Sequence, residues 1–243
     1  MDRTVYARMA AHEDYHWWFV ARRAILARLI AVEKPAKSEL SLLEVGCGTG
    51  GNLALLKRFG RVEACEYDAE AREWAQRKSA VDVRPGALPA DIEMPAAGYD
   101  MIFLLDVLEH VEQDEASLRA LAKRLAPGGR IVLTVPALPW LWSDHDVRHH
   151  HFRRYTLRSL RAVADRAGLR PIRVGYFNTL LFPLAVAARL ARRALGLKGE
   201  EDSLPGRTVN ALLTEVFGLE RFLVGRIRLP VGLSLFMVAA VTG

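Results

Sequence analysis

Apolar residues follow two spacings along this chain, and the two alternate. Short, nearly continuous apolar runs stand at 41–46 (SLLEVG), 62–66, 81–84, 99–105 (YDMIFLL), 130–135 (RIVLTV), 169–177 and 233–242 (LSLFMVAAVT). Their length and residue types are those of buried strands. Between them, apolar positions recur every three or four residues, the helical spacing. The stretch 50–59 turns Leu53, Leu56 and Ala54 inward and ends at Gly60. The stretch 69–78 is acidic early and basic late, as a helix dipole favours. Residues 113–125 place Leu118, Leu121, Ala122 and Leu125 on one face, with Pro127-Gly128-Gly129 as the expected stop. Thr156 has the chemistry of an N-cap for a helix to Ala167, with Leu157, Leu160 and Ala164 inward and Gly168 at its end. Strands alternating with helices predict a parallel α/β sheet.

The alternation is interrupted at 178–229. Two helical stretches are expected there, around 180–195 and 208–226, joined by a polar Gly/Glu/Pro linker. The first carries Leu180, Leu181, Leu184 and Ala188 on one face, followed by Arg189, Arg192 and Arg193. The second carries Val209, Leu212, Leu213, Val216 and Phe217, then Leu219, Phe222 and Leu223. Ordinary core packing, a lid, a homodimer interface or a membrane-surface element would each look like this. The expected organisation is an N-terminal helical cap at 1–40, a core at 41–177, the helical insertion at 178–229, and a last strand at 230–243 that completes the core sheet.

Composition narrows the class. The chain has 243 residues, 51% hydrophobic and 26% charged, which excludes a disordered tail protein, a collagen-like repeat and a coiled-coil rod. A net charge of +6 invites a polyanion-binding reading, but the charge is uneven. Residues 1–147 carry 18 basic against 22 acidic side chains, 148–193 carry 11 Arg against Asp165 alone, and 194–243 balance. The basicity therefore belongs to one stretch. The only cysteines are Cys47 and Cys65, too few for a disulfide framework, and no CxxC pair suggests zinc. The N-terminal residues lack the apolar core of a signal peptide. The longest uncharged run, 174–188, contains Asn178 and Pro183 and is too short to span a bilayer. A cytoplasmic setting without a transmembrane helix is expected, with attachment to a membrane surface left open.

The chemistry starts at 42–52, LLEVGCGTGGN. A strand enters a glycine loop that opens a helix, where bare backbone N–H groups can approach a ligand. Gly46, Gly48 and Gly51 satisfy G-x-G-x-x-G, and Glu66, 20 positions on, stands where an acid would hold ribose hydroxyls. That pattern alone does not separate NAD from another adenosine cofactor.

Further features break the tie. Glu44 precedes the first glycine by two; RPGALP follows at 84–89; YDMIFLLDVLEHV runs over 99–111; PGGRIVLTVP follows at 127–136. This ordered set resembles the class I S-adenosylmethionine-dependent methyltransferases, especially the small-molecule branch. The resemblance covers 42–135 well. It implies a Rossmann-like, seven-stranded, mostly parallel sheet with an antiparallel last strand, and S-adenosyl-L-methionine as cofactor. Residue by residue, it implies that Glu44, Gly46, Cys47, Gly48, Gly50 and Asn52 surround the methionine portion. Glu66 would take the ribose hydroxyls and Tyr67 would lie beside the adenine. Ala87 and Leu88 match the adenine-contacting turn, where the Asp of many relatives is missing. Leu105 and Asp106 match the residues beside the methionine amino group. His110 matches the His of the recurrent LEHV segment, where a hydrogen bond to backbone is as good a reading as catalysis.

Two flanks add candidates. The segment HWWFVARR (16–23) suggests a helix folded over the cofactor, with Trp18 shielding the sulfonium and Arg22 or Arg23 pairing with its carboxylate. Simple docking of the aromatics onto the core explains it equally. The segment LWSDHDVRHHHFRRYT (141–156) follows a strand at the C-terminal edge of the sheet, where α/β ligands bind. Its histidines with Asp144 and Asp146 could be read as a metal site, but the adjacent His149, His150 and His151 diverge on any regular backbone, so no metal is expected. An acceptor site is favoured, with Trp142, Asp146, His151, Arg153, Arg154 and Tyr155 holding an anionic or polar acceptor. The candidate bases are His110, His145, His149, His150 and His151, and the residues do not choose among them. The expected activity is in-line methyl transfer to a small-molecule or lipid-linked, anionic acceptor, with O-methylation favoured. Alternatives are RNA methylation, or a non-catalytic membrane- or partner-binding protein on the same scaffold. Against nucleic acid, and DNA in particular, no Asp/Asn/Ser-Pro-Pro-Tyr/Phe run follows 99–105; Leu105-Asp106-Val107-Leu108 stands there instead.

Overall fold

The computed structural model of the chain describes residues 3–92, 98–195 and 204–242. Two N-terminal helices, α1 (Arg3–His12) and α2 (Trp17–Glu33), lead into the alternating core. The core runs β1 (Leu40–Val45), α3 (Leu53–Leu56), β2 (Gly60–Glu66), α4 (Ala69–Ser79), β3 (Val83–Ala87), β4 (Asp91–Ile92) and β5 (Tyr99–Leu105). It continues through α5 (Asp114–Ala122), β6 (Leu125–Pro136), α6 (Asp144–Arg148), α7 (Leu157–Arg166) and β7 (Leu169–Phe177). Then come α8 (Phe182–Ala194), α9 (Arg207–Gly218) and β8 (Ser234–Val241).

The strands form one sheet in the order β4-β3-β2-β1-β5-β6-β8-β7. The pairs β3–β2, β2–β1, β1–β5 and β5–β6 are parallel, and β8 runs antiparallel to both β6 and β7. This is the Rossmann-like seven-stranded sheet expected from the sequence, with the two-residue β4 added antiparallel at one edge. Helices cover both faces, which is why β5 is buried along its whole length and reads as an unbroken apolar run. One apolar cluster joins Leu43, Ile102, Leu104 and Leu133 to α5 and α7; the other joins Leu42, Met101, Phe103 and Val132 to α2 and α9. Each such fully buried aliphatic side chain contributes roughly 1.5–3 kcal/mol.

Three local expectations change. The helix expected over 50–59 is a single turn at Leu53–Leu56, because Gly50 and the loop before it take left-handed conformations that no helix continues. Pro127-Gly128-Gly129 does not end a helix. It lies inside β6, where pairing with β5 shifts register between Tyr99 and Met101, a bulge that absorbs the proline. The second insertion helix stops at Gly218, and a 3-10 turn follows at Leu219–Phe222. The first insertion helix is present as α8; the polar linker after it falls mostly at 196–203, outside the described residues, as do the side chains of Arg192 and Arg193.

The N-terminal helix and the insertion pack on each other. Trp17 meets Phe217 edge-to-face at 5.9 Å between ring centroids. Asn210 Oδ1 accepts from the Trp17 amide (2.9 Å), while Asn210 Nδ2 donates to the Tyr15 carbonyl (2.8 Å). Segments far apart in sequence thus form one helical layer over the sheet. No helix of the described residues is long and apolar enough to cross a membrane.

Candidate active site

The glycine loop is shaped by what it cannot accommodate. Gly46, Gly48 and Gly50 have φ of +71°, +55° and +84°. A Cβ on Gly46 would fall 2.7 Å from Val107 Cγ2, and one on Gly50 would fall 2.9 Å from Ala75 Cα. The backbone after β1 therefore turns tightly and leaves a cradle free of side chains at the C-terminal edge of the sheet.

Glu66, the last residue of β2, faces this cradle. Its Oε2 accepts from the Gly48 amide (2.8 Å) and its Oε1 from the Asp68 amide (3.0 Å). The Tyr6 hydroxyl reaches Oε1 at 3.4 Å. Burial, followed by the nearby Glu66 and Asp68, raises the Tyr6 pKa, so this hydroxyl stays a donor. Three donors orient a buried carboxylate at the expected ribose position.

Arg22 enters from α2. Its Nη2 lies 2.5 Å from Asp106 Oδ2 and donates to Thr134 Oγ1 at 3.1 Å, and its Nη1 reaches Asn52 Oδ1 at 3.5 Å. The guanidinium carbon sits 5.0 Å from the centre of the Trp18 ring. Asn52 in turn donates to Glu44 Oε1 at 2.9 Å. Glu44 is fully buried, and that burial raises its pKa to about 7 against the opposing pull of Asn52 and Arg22. Arg23 is held elsewhere, donating to the Glu13 carbonyl at 2.6 Å.

Histidines gather at the other end. His110 and His151 meet edge-to-face at 4.6 Å between centroids, and His145 stacks on His149 at 4.1 Å. The loop carrying them is pinned by the Phe152 amide, which donates to the Glu109 carbonyl at 2.8 Å. Asp146, fully buried, joins His151 Nδ1 at 2.9 Å and Arg154 Nε at 2.7 Å through Oδ1, and takes the Ser143 amide on Oδ2 at 2.9 Å. Burial alone would raise the Asp146 pKa, but His151 and Arg154 together hold it well below the usual carboxylate range. Burial, reinforced by His151 and His149, lowers His110 to about 3.

One cavity of about 900 Å³ joins the two ends. Trp18, Arg22, Arg23, Gly46, Cys47, Gly48 and Asn52 line it, as do Glu66, Tyr67, Ala87, Leu88, Leu105, Asp106 and His110. Glu44 and Gly50 stand behind that wall. On the acceptor side His145, His149, His151 and Arg154 line it, while His150, Trp142, Asp146, Arg153 and Tyr155 do not. The reasons are physical. The Tyr155 hydroxyl donates to Asp114 Oδ2 at 2.9 Å from a buried position, and Arg153 pairs with the same oxygen at 2.6 Å. Asp146 is consumed in orienting His151 and Arg154. His150 takes φ +56° at a turn beside the lining residues His149 and His151.

Part of the basic stretch is neutralised within the fold. Arg153, Arg154, Arg166 and Arg173 pair with Asp114, Asp146, Glu115 and Glu33, carboxylates that all come from residues 1–147.

Several site residues carried no signal in the sequence. Tyr6, Met9 and Glu13 come from α1 and its C-terminal turn, in a stretch of mixed charge without a motif. Glu13 accepts from the Thr49 hydroxyl at 2.8 Å and pairs with Lys78 at 2.9 Å, clamping the N-terminal segment over the glycine loop. Glu109 lies buried beside His110; its pKa is driven well above the usual range by burial and then by Asp106. Glu109, His110 and His151 could each lend one atom to a cation, those atoms lying within 4.8 Å of one another. This is a different set from the Asp144 and Asp146 grouping suggested by the sequence.

Comparison with known proteins agrees with this geometry. A model of the methyltransferase domain family matches residues 16–174. Malonyl-(acyl-carrier protein) O-methyltransferase of Enterobacter lignolyticus is 27% identical over 207 residues, covering 79% of this chain and 76% of the relative. Ubiquinone biosynthesis O-methyltransferase of Idiomarina loihiensis is 28% identical over 161 residues, covering 58% of this chain and 65% of the relative. Among solved structures, geranyl diphosphate C-methyltransferase of Streptomyces coelicolor matches with a TM-score of 0.59 at 16% identity, over 88% of this chain and 79% of that one. Phosphoethanolamine N-methyltransferase 2 of Haemonchus contortus, in complex with S-adenosyl-L-methionine, matches with a TM-score of 0.58 at 16% identity, over 90% and 52%. At such identity the two structures speak for the fold.

Proposed function

This chain belongs to the methyltransferase domain family and is an S-adenosylmethionine-dependent enzyme, and we propose that it methylates an oxygen of an amphiphilic, anionic acceptor, lipid-linked or small. The observation that carries the proposal is the Asp146–His151 pair at the end of the cavity opposite the glycine cradle. Two supports stand beside it. The relatives named above include two O-methyltransferases. The cavity wall on the α8 and α9 side is apolar, with Leu181, Leu184, Ala185, Ala188 and Leu213, whereas Arg189 supplies positive charge.

The residues present fit the cofactor. A glycine loop in which a Cβ at Gly46 or Gly50 would clash, an oriented buried carboxylate at Glu66, and an Arg22–Asp106 pair at the end of β5 match the three polar regions of S-adenosylmethionine. Glu66 would accept from the ribose hydroxyls; Ala87 and Leu88 would flank the adenine. Asp106 would meet the amino group, and Arg22 the carboxylate. When bound, S-adenosylmethionine supplies an electrophilic methyl carbon. The protein then has to position the acceptor oxygen, exclude water and receive one proton. Nδ1 of His151 is committed to Asp146, so the ring presents Nε2 as proton acceptor, as a base oriented by a carboxylate does. His110, His145 and His149 pack around it and shape the acceptor end.

The test is calorimetric titration with S-adenosylmethionine on the wild type and Glu66→Ala, followed by mass spectrometry of methyl incorporation across carboxylate, phenol and prenyl-phosphate acceptors. Cofactor binding that is lost in the variant, with methyl appearing on an acceptor oxygen, is the expected result. Methyl found only on nitrogen, carbon or RNA would overturn the acceptor assignment.

A further inference from the structure

A second cleft, sharing no lining residue with the catalytic cavity, lies at the β7 edge of the sheet. Among the described residues β7 pairs only with β8, and the turn at 225–228 packs against its first half. Arg173 Nη1 donates to the Gly225 carbonyl at 2.7 Å, and Arg173 Nε joins Glu33 Oε1 at 2.5 Å. Glu33 also takes Arg130 at 2.9 Å, so its charge is fully engaged. The cleft between strand and turn holds about 450 Å³ and is lined by Arg161, Arg173, Arg226 and Arg228, with Asp165 the only acid. Arg161, Arg226 and Arg228 make no side-chain hydrogen bond or ion pair among the described residues. Three arginines without a partner among the described residues thus line one concavity, next to a fourth that the fold has locked in place.

Apolar side chains alternate with these cations. Ile172 and Ile227 line the same cleft and are 39% and 55% exposed. Phe222, in the 3-10 turn that leads into the 225–228 turn, is 52% exposed beneath the Arg221 guanidinium, 4.5 Å from its ring centre. Aliphatic and aromatic residues beside unpaired arginines are the composition of an element that rests at a bilayer interface: the cations meet lipid phosphates and the apolar groups enter the acyl boundary. A free phosphate would use the arginines and leave Ile172 and Ile227 in water. A nucleic-acid strand would call for a track of stacking aromatics, which the isoleucines of this cleft do not provide.

We propose that this arginine cleft docks the protein on an anionic phospholipid surface, with the lipid phosphates seated among Arg161, Arg226 and Arg228. The inference is independent of the acceptor assignment, because it concerns residues that touch neither cofactor nor acceptor.

The experiment is co-sedimentation with vesicles of phosphatidylcholine alone and of phosphatidylcholine with about one third phosphatidylglycerol, at low and physiological salt. The proteins compared are the wild type, the triple variant Arg161→Gln/Arg226→Gln/Arg228→Gln, and Ile227→Ser. The wild type should bind the anionic vesicles and not the neutral ones, and salt should weaken binding. Each arginine should be worth about fivefold, so the triple variant should lose about a hundredfold, with unchanged affinity for S-adenosylmethionine showing that it is folded. Ile227→Ser should weaken binding without altering its salt dependence. Equal binding to both vesicles, or full binding by the triple variant, would overturn the proposal. So would saturable binding of inorganic phosphate or a short RNA that the triple variant loses while vesicles are ignored.

Discussion

Arg22 Nη2 stands 2.5 Å from Asp106 Oδ2, joining α2 to the residue that follows β5. Asp106 occupies the left-handed region at φ +60°, uncommon for a residue other than glycine, which turns its carboxylate toward α2. Arg22 is itself buried and also holds Thr134 at the end of β6. The pair therefore fastens the helical layer to the head of the sheet at the place where the cofactor's charged tail is proposed to sit.

Replacing Arg22 should cost both stability and cofactor binding. Arg22→Ala leaves a largely buried carboxylate without its partner, a loss of about 3 kcal/mol in systems of this kind. Urea unfolding should show it, and calorimetry should show at least a tenfold weaker S-adenosylmethionine affinity. Arg22→Lys should recover part of the stability and little of the affinity, since one ammonium cannot reach Asp106, Thr134 and Asn52 together. An unchanged affinity in Arg22→Ala would remove this arginine from the cofactor site.

His151 and Asp146 should act as one unit. His151→Ala is expected to lower kcat by about a hundredfold or more, the usual worth of a positioned base. Asp146→Asn should approach the same loss, because the ring then loses the partner that fixes its orientation. The double variant should be no worse than His151→Ala alone. S-adenosylmethionine affinity should stay within a factor of a few in all three. Additive losses in the double variant would show that Asp146 acts through Arg154 rather than His151.

Glu44 should make the cofactor-free protein pH-sensitive in a definite direction. Its pKa rises from the ordinary 4.5 to about 7 because it is buried. Between those values the native state holds a proton that the unfolded chain has released, so this contribution to stability is present at low pH and is lost as pH rises through the window. The shift corresponds to about 3 kcal/mol. Other groups superimpose their own dependence, so the measurement is the difference between wild type and Glu44→Gln in urea unfolding. The wild type should lose ground to the variant from pH 5 to pH 7.5. A constant difference would show that Glu44 is ionised throughout.

Two adjacent glycines should respond differently to alanine. In Gly50→Ala the new methyl meets Ala75 backbone at 2.9 Å in a left-handed conformation, so the fold itself should be destabilised, by about 2 kcal/mol or more. In Gly51→Ala the methyl meets Glu13 Oε2 at 2.2 Å, the far end of a side chain that can move. That change should release Glu13 from Thr49 and loosen the N-terminal clamp. Protease cleavage within residues 1–16 should accelerate while the urea midpoint changes little. Equal destabilisation by both would show that the clamp is integral to the core.

The sheet was legible because each of its central strands is buried on both faces. A strand that must be apolar along its whole length declares itself locally, as 99–105 does, and the glycine loop declares itself because glycine is favoured at its positive φ values and leaves room for Val107 and Ala75. Glu66 stands at the expected spacing, at the end of β2, where it accepts from the Gly48 amide of the glycine loop. What only the tertiary structure decided is the pairing of charges from distant segments. Tyr155 and Arg153 read as acceptor contacts, yet Asp114, some 40 residues away, takes both of them. Asp146 read as an acceptor contact, and the structure places it behind the cavity wall, bonded to His151. Glu13 had no motif at all, because its partners Thr49 and Lys78 lie on other elements. The net charge of the basic stretch could be counted from composition, but which arginines are neutralised and which remain free at the β7 edge depends on side chains brought together by the fold. Backbone conformation and strand burial are constrained by neighbours in the chain; the state of a charge is set by whatever packs against it.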